Sequence, residues 1–320
     1  MAKRPTIGLA LGAGGARGLA HIGVLKVLER EGIPIDVIVG TSMGAFVGAA
    51  YAVNPDAMAL YKRISEALGP DGKQNPALKV LEKIHKPDTT RSDLIHRLGR
   101  IAEKELFLNL AIFRNAVLST KDMQRLMEIF LPDIDIRDTK IPYAATAVDL
   151  VSGKEVVLKG GPLIRAVEAS SSVPGFMPTV TWGGMRLVDG AVLDAVPAEP
   201  LKNLGAQIII GVDVAFCLFQ PSPIEDGIDE INRATEIMSF YLGRIHSETA
   251  DILIEPAVRK TGWTDFHKYE HLIGEGEKAA ASKIVEIQDM LEHGFRRMVL
   301  EQARNIIGWK KRRNTEGKIV

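Results

Sequence analysis

An α/β fold with a parallel βαβ unit at its head is what this sequence predicts, on three observations. A short apolar stretch, Thr6-Ile-Gly-Leu-Ala-Leu11, ends in a glycine-rich loop and leads into a helical stripe. A second apolar and β-branched stretch, Val37-Ile-Val-Gly40, runs directly into Gly40-Thr41-Ser42-Met43-Gly44. Small residues from Ala45 to Tyr51 then supply a closely packed helix. Strands that alternate with helices in this way pair parallel, through right-handed crossovers.

The remaining elements follow from periodicity and turn chemistry. Leu19, Ile22, Leu25 and Leu28 share one face of a helix spanning Leu19 to Glu31, which Gly32 stops. Asn54 to Pro142 changes character: it is charged and helix-patterned, broken at Gly69-Pro70-Asp71-Gly72 and at Lys86-Pro87-Asp88. Leu94 to Leu110 and Thr120 to Leu131 both carry apolar residues at three- and four-residue spacing. Leu106, Phe107, Leu108, Leu110, Ile112 and Phe113 cluster there, either as core over the sheet or as an apolar wall or lid that admits an acyl chain. From Tyr143 the β signal returns, with hairpins over Tyr143 to Leu158 and Thr179 to Val188 and a helix from Leu163 to Ser172 between them. Pro197 to Leu204 is a short helix, Gln207 to Val214 a buried strand, Ile224 to Glu248 contains a helix, and Asp251 to Ile254 is a last strand. Ala279 to Asn305 is mostly helical, and Trp309-Lys-Lys-Arg-Arg313 opens a basic tail. With no linker long enough to divide it, the chain is expected to be one domain over residues 1–320. Its core covers about 6–215, with a helical insert at about 54–140 and a C-terminal helical extension at about 256–320.

Composition narrows the classes of function. Forty basic residues balance forty acidic ones, so no global field points to nucleic acid. A lone cysteine, Cys217, excludes an internal disulfide and a cysteine metal cluster. Thr6 to Leu11 is too short for a signal-peptide core, and no apolar run reaches the ~18 residues of a spanning helix. A cytoplasmic protein is therefore expected, with peripheral contact to a membrane left open. Lys310 to Arg313 is the candidate for that contact on an anionic surface, against a plain solvated terminus.

The chemistry centres on Ser42. Strand, tight turn and helix around Gly-x-Ser-x-Gly is the context of a nucleophile elbow, in which the serine stands at a helix N-terminus. A packing turn of small residues is the alternative. Gly12-Ala13-Gly14-Gly15-Ala16-Arg17-Gly18 can converge backbone N–H groups on a phosphate or an oxyanion. A dinucleotide loop is disfavoured because Arg17 stands where a third glycine belongs, and a P-loop lacks its Gly-Lys-Ser/Thr ending. His21 sits in the first helix, while His246, His267, His271 and His293 follow Ser42 in an order a triad could use; each of these four reads as a surface histidine. Although His267 and His271 are spaced for a metal, no carboxylate pattern supports a zinc site. Asp189 ends an apolar strand and precedes Gly190-Ala191, which is either a partner for a serine or an ordinary Asp-Gly turn.

Taken together these pieces resemble the patatin-like phospholipases, best their bacterial single-domain branch. The Gly14-Gly15-x-Arg17-Gly18 loop is similar to the family's oxyanion motif, Gly40-Thr41-Ser42-Met43-Gly44 to its elbow, and Asp189-Gly190-Ala191 to its Asp-Gly-Ala/Gly motif. Ala169 to Pro178 is similar to its small, proline-ended block. The resemblance implies a three-layer α/β/α fold with a mostly parallel sheet and a helical insert. It implies a Ser-Asp dyad, with Ser42 as nucleophile and Asp189 as base and acid, and no third histidine. Gly14, Gly15 and Ala13 would hold the oxyanion, although position 13 departs from the commoner glycine; Arg17 would orient the loop or meet an anionic head group. No metal and no cofactor are implied. Lipid or another acyl ester is the substrate class; a general esterase or thioesterase, or a catalytically idle binding protein of the same fold, are the alternatives.

Overall fold

Parallel pairing begins with the two strands nearest the N-terminus. β1 (Ile7–Leu11) lies beside β2 (Val37–Gly40), with Leu11 opposite Gly40, and the two are joined by helix α1 (Ala20–Arg30). All five residues of β1 are buried, as a strand covered on both faces requires. The computed structural model describes residues 4–70, 119–215, 224 and 227–316. Helices α2 (Met43–Val53) and α3 (Ala57–Leu68) follow β2, and α4 (Thr120–Glu128) leads to β3 (Tyr143–Asp149). Ser119 and Asp56 cap α4 and α3 by accepting backbone N–H groups from the first turn.

β4 (Lys154–Leu158) returns antiparallel to β3, and α5 (Leu163–Ser170) follows it. β5 (Val180–Trp182) and β6 (Met185–Asp189) form the second hairpin, and β6 also pairs antiparallel with β3. α6 (Ala198–Asn203), β7 (Ile208–Val212), α7 (Gly227–Ser247), β8 (Ile252–Ile254) and α8 (Tyr269–Glu316) complete the chain. The sheet runs β5-β6-β3-β2-β1-β7-β8, parallel from β3 to β8, with β4 as a branch on β3. Apolar clusters pack on this sheet, one of them built from α6 with β1, β2 and β7. The α/β class and the mostly parallel sheet agree with expectation, and both hairpins fall where the turns placed them.

The expected apolar cluster from Leu106 to Phe113, the helix from Leu94 to Leu110, and Cys217 lie outside the described residues. So do the side chains of Lys310 to Arg313, whose backbone continues α8. One helix differs in extent: α8 begins at Tyr269 rather than Ala279. Among the described residues no helix is long and apolar enough to cross a membrane.

Candidate active site

The turn from β2 to α2 is built around an unusual backbone. Ser42 has φ 56 and ψ −121, and among the described residues no other non-glycine has positive φ. Such a conformation costs ~1–3 kcal/mol and persists only where its surroundings enforce it. Its surroundings do: a Cβ at Gly40 would strike the Gly44 carbonyl, and one at Gly44 would strike the Leu11 carbonyl. The Thr41 hydroxyl pairs with that of Thr146 at 2.7 Å and donates to the Asp194 carbonyl at 3.1 Å.

Asp189, at the end of β6, accepts the Ala191 N–H at 2.9 Å, and the Ser42 hydroxyl interacts with its carboxyl. The side chain is almost fully buried, and burial pushes its carboxyl up to about 6 against the downward pull of the Ala191 N–H and the Ser42 hydroxyl. Gly190 is packed on Thr146, which leaves no room for a side chain between them. The block after α5 ties the two halves together. Ser170 accepts the Ser42 N–H on its hydroxyl at 2.9 Å, and the Ser172 carbonyl accepts the Asp189 N–H at 3.0 Å. Ser171 adds a longer bond to the Ser42 carbonyl, 3.4 Å. The sequence singled out this block only by its likeness to a motif; nothing in its spacing reveals these bonds.

Beside Ser42 the glycine loop leaves β1. The N–H of Gly12 goes to Val212 O at 3.0 Å and that of Ala13 to Ala195 O at 2.8 Å. Of the three expected oxyanion donors, Ala13 thus has its N–H already bonded within the protein. The N–H groups of Gly14 and Gly15 find no acceptor among the described residues. Gly15 needs its missing side chain: φ is 56, and a Cβ would strike the Trp263 carbonyl. Arg17 turns inward and donates from Nε to the Gly14 carbonyl at 3.2 Å. Burial lowers its guanidinium to about 10, with Asp213 and Glu236 pulling it back up. That position fits orienting the loop rather than meeting a head group. Gly18 packs against the Met43 side chain and so brings the loop close to the elbow.

The histidines divide. His21 is fully buried, its Nε2 is 2.7 Å from the Gly12 carbonyl, and burial brings its ring down to about 4, so it is neutral. His246 is half-buried with Nδ1 3.3 Å from Asp194 Oδ1, so it is not the plain surface histidine the sequence suggested. His267, His271 and His293 are exposed. Among the described residues no group of three His, Cys, Asp or Glu side chains could hold a metal ion.

A cavity opens at Ser42, with about 930 Å³ of space when its open mouth is counted. Its walls are apolar, among them Leu19, Phe46, Met127, Phe130, Met177 and Trp263. Phe46 and Phe130 meet edge to face at 5.3 Å.

An open, mostly parallel sheet that presents a strained serine at the mouth of β2, beside a glycine loop, defines an α/β protein of the nucleophile-elbow kind. The model of the patatin-like phospholipase family matches residues 9–202, and the chain belongs to that family. Lysophospholipase NTE1 of Kluyveromyces lactis is 32% identical over 208 residues, covering 65% of this chain and 12% of the relative. Patatin-like phospholipase domain-containing protein 6 of Mus musculus is 31% identical over 211 residues, covering 65% of this chain and 13% of the relative. The chain thus spans about one eighth of the length of these relatives. Among solved structures, VipD from Legionella pneumophila aligns with TM-score 0.47 and 14% identity, over 90% of this chain and 67% of that one. That likeness is too loose to argue from.

Proposed function

We propose that this chain is a serine acyl-ester hydrolase acting on lipid through an acyl-serine intermediate. One observation carries the reading: the strained Ser42 lines an apolar cavity, and its hydroxyl interacts with the buried Asp189 carboxyl behind it. Asp189 takes the Ser42 proton as the oxygen attacks the ester carbonyl. The N–H groups of Gly14 and Gly15 receive the tetrahedral oxyanion. Asp189 then returns the proton to the leaving alcohol, water attacks the acyl-serine with Asp189 as base, and the free serine is restored. A carboxylate raised by burial suits that exchange, because its basicity approaches the operating pH. The apolar walls support a fatty acyl chain, and the relatives' names, lysophospholipase and patatin-like phospholipase, support lipid as the substrate class.

Ser42→Ala is the test. Turnover of a nitrophenyl acyl ester is expected to fall by ~10⁴-fold or more, as losses of a nucleophile do, with the thermal midpoint little changed. Undiminished turnover by a folded variant would falsify the assignment.

A further inference from the structure

His21 is a costly side chain for the place it occupies. A carbonyl only accepts, so the contact with Gly12 puts the ring proton on Nε2. The neutral ring has one proton, and Nδ1 is left as a bare lone pair, buried and without a hydrogen-bond partner among the described residues. Such a group loses its hydration without replacement, a cost that an apolar side chain of similar size would not carry. What the imidazole supplies in return is a single N–H, delivered to the Gly12 carbonyl at 2.7 Å.

That carbonyl belongs to the peptide plane whose other end is the Ala13 N–H, held by Ala195 O at 2.8 Å. The Gly12–Ala13 plane is therefore gripped on both sides. The two planes that follow it carry the N–H groups of Gly14 and Gly15. With one peptide fixed at both ends and Arg17 holding the Gly14 carbonyl, those N–H groups have little freedom to turn.

We propose that His21 is a positioning residue: its Nε2–H sets the Gly12–Ala13 peptide, and through it the aim of the Gly14 and Gly15 donors. The oxyanion role rests on the hydrolase reading above; the loop geometry does not. His21 touches neither substrate nor the reacting atoms.

Two variants separate donation from packing. His21→Leu fills similar space without a donor and also removes the orphaned nitrogen. His21→Gln keeps an N–H at about the reach of Nε2. Misaiming the hole without deleting a donor is expected to cost part of the usual oxyanion loss, so His21→Leu lowers kcat by ~10–100-fold. KM stays within about twofold, since ground-state binding is untouched, and the thermal midpoint holds or rises. His21→Gln recovers most of the lost kcat. Backbone amide exchange, followed by NMR on the full chain, gives a readout independent of turnover: exchange at Ala13 accelerates in His21→Leu and stays slow in His21→Gln. Wild-type kcat and Ala13 exchange in His21→Leu would overturn the proposal, as would a His21→Gln variant impaired equally. Should Ser42→Ala hydrolyse as fast as wild type, the hydrolase reading fails on its own. The exchange arm then decides, with faster Ala13 exchange in His21→Leu supporting loop positioning and unchanged exchange refuting it.

Discussion

Asp189 faces two opposed demands. Burial raises its carboxyl from the ordinary 3.8 to about 6, which makes a better base and a less stable fold. Between those pH values the folded chain holds a proton that the unfolded chain has lost. The group's contribution to stability is thus complete below pH 3.8 and is lost as pH rises through about 6. Asp189→Asn carries no such charge. It is expected to be more stable than wild type by ~1–3 kcal/mol at pH 8, with the gap closing near pH 4, while hydrolysis is nearly abolished. Wild-type hydrolysis should rise with pH through about 6, as the base ionises. Denaturant titrations at both pH values and a pH–rate profile check the pair. A less stable Asp189→Asn at pH 8 would contradict the cause given for the shift.

At the scale of elements, the junction of α1 and α8 is where packing overrides helix propensity. Gly274 and Gly276 lower helix propensity ahead of Ala279, yet α8 runs through both from Tyr269. The structure uses one of them for close approach. A Cβ at Gly276 would strike the Ala20 carbonyl, and one at Gly23 would strike the Ile273 carbonyl, so the two helices meet backbone to backbone. This makes a prediction whose sign is diagnostic. Gly→Ala inside a helix ordinarily gains ~1 kcal/mol, whereas Gly23→Ala and Gly276→Ala are each expected to lose ~1–3 kcal/mol through overpacking. Chemical denaturation decides, and a stabilising outcome would mean the helices do not touch there.

The strands, the hairpins and the elbow are legible because their signals are local: short apolar runs, turn residues, and glycines flanking Ser42. The ties from Ser170 to Ser42 and from Ser172 to Asp189 are not, since they join residues far apart in sequence. The same holds for the Ala195 carbonyl that occupies the Ala13 donor, and for His21, whose place in a helical stripe says nothing of what its ring meets.

For the whole molecule, the relevant fact is that one apolar cavity ends at the strained serine. α2 contributes Met43 and Phe46 to it, α4 contributes Met123, Leu126 and Met127, and the segment after β8 contributes Trp263 and Phe266. Helices from both sides of the undescribed stretch therefore line one site. If the walls hold the acyl chain, filling them shortens the chain accepted. Met127→Trp is expected to move the preferred nitrophenyl ester to a shorter acyl group and to cut kcat/KM for long chains by ~10-fold or more, at the scale of a few lost methylene contacts. An unchanged chain-length profile would place the acyl group elsewhere.

Covalent capture tests the central claim most directly. The protein is incubated with a fluorophosphonate, digested, and the adduct located by mass spectrometry. One phosphonyl group on Ser42 is expected, appearing in step with loss of ester hydrolysis, absent from Ser42→Ala and slowed in Asp189→Asn. An adduct on another residue, or full hydrolysis after Ser42 has been labelled, would contradict the account.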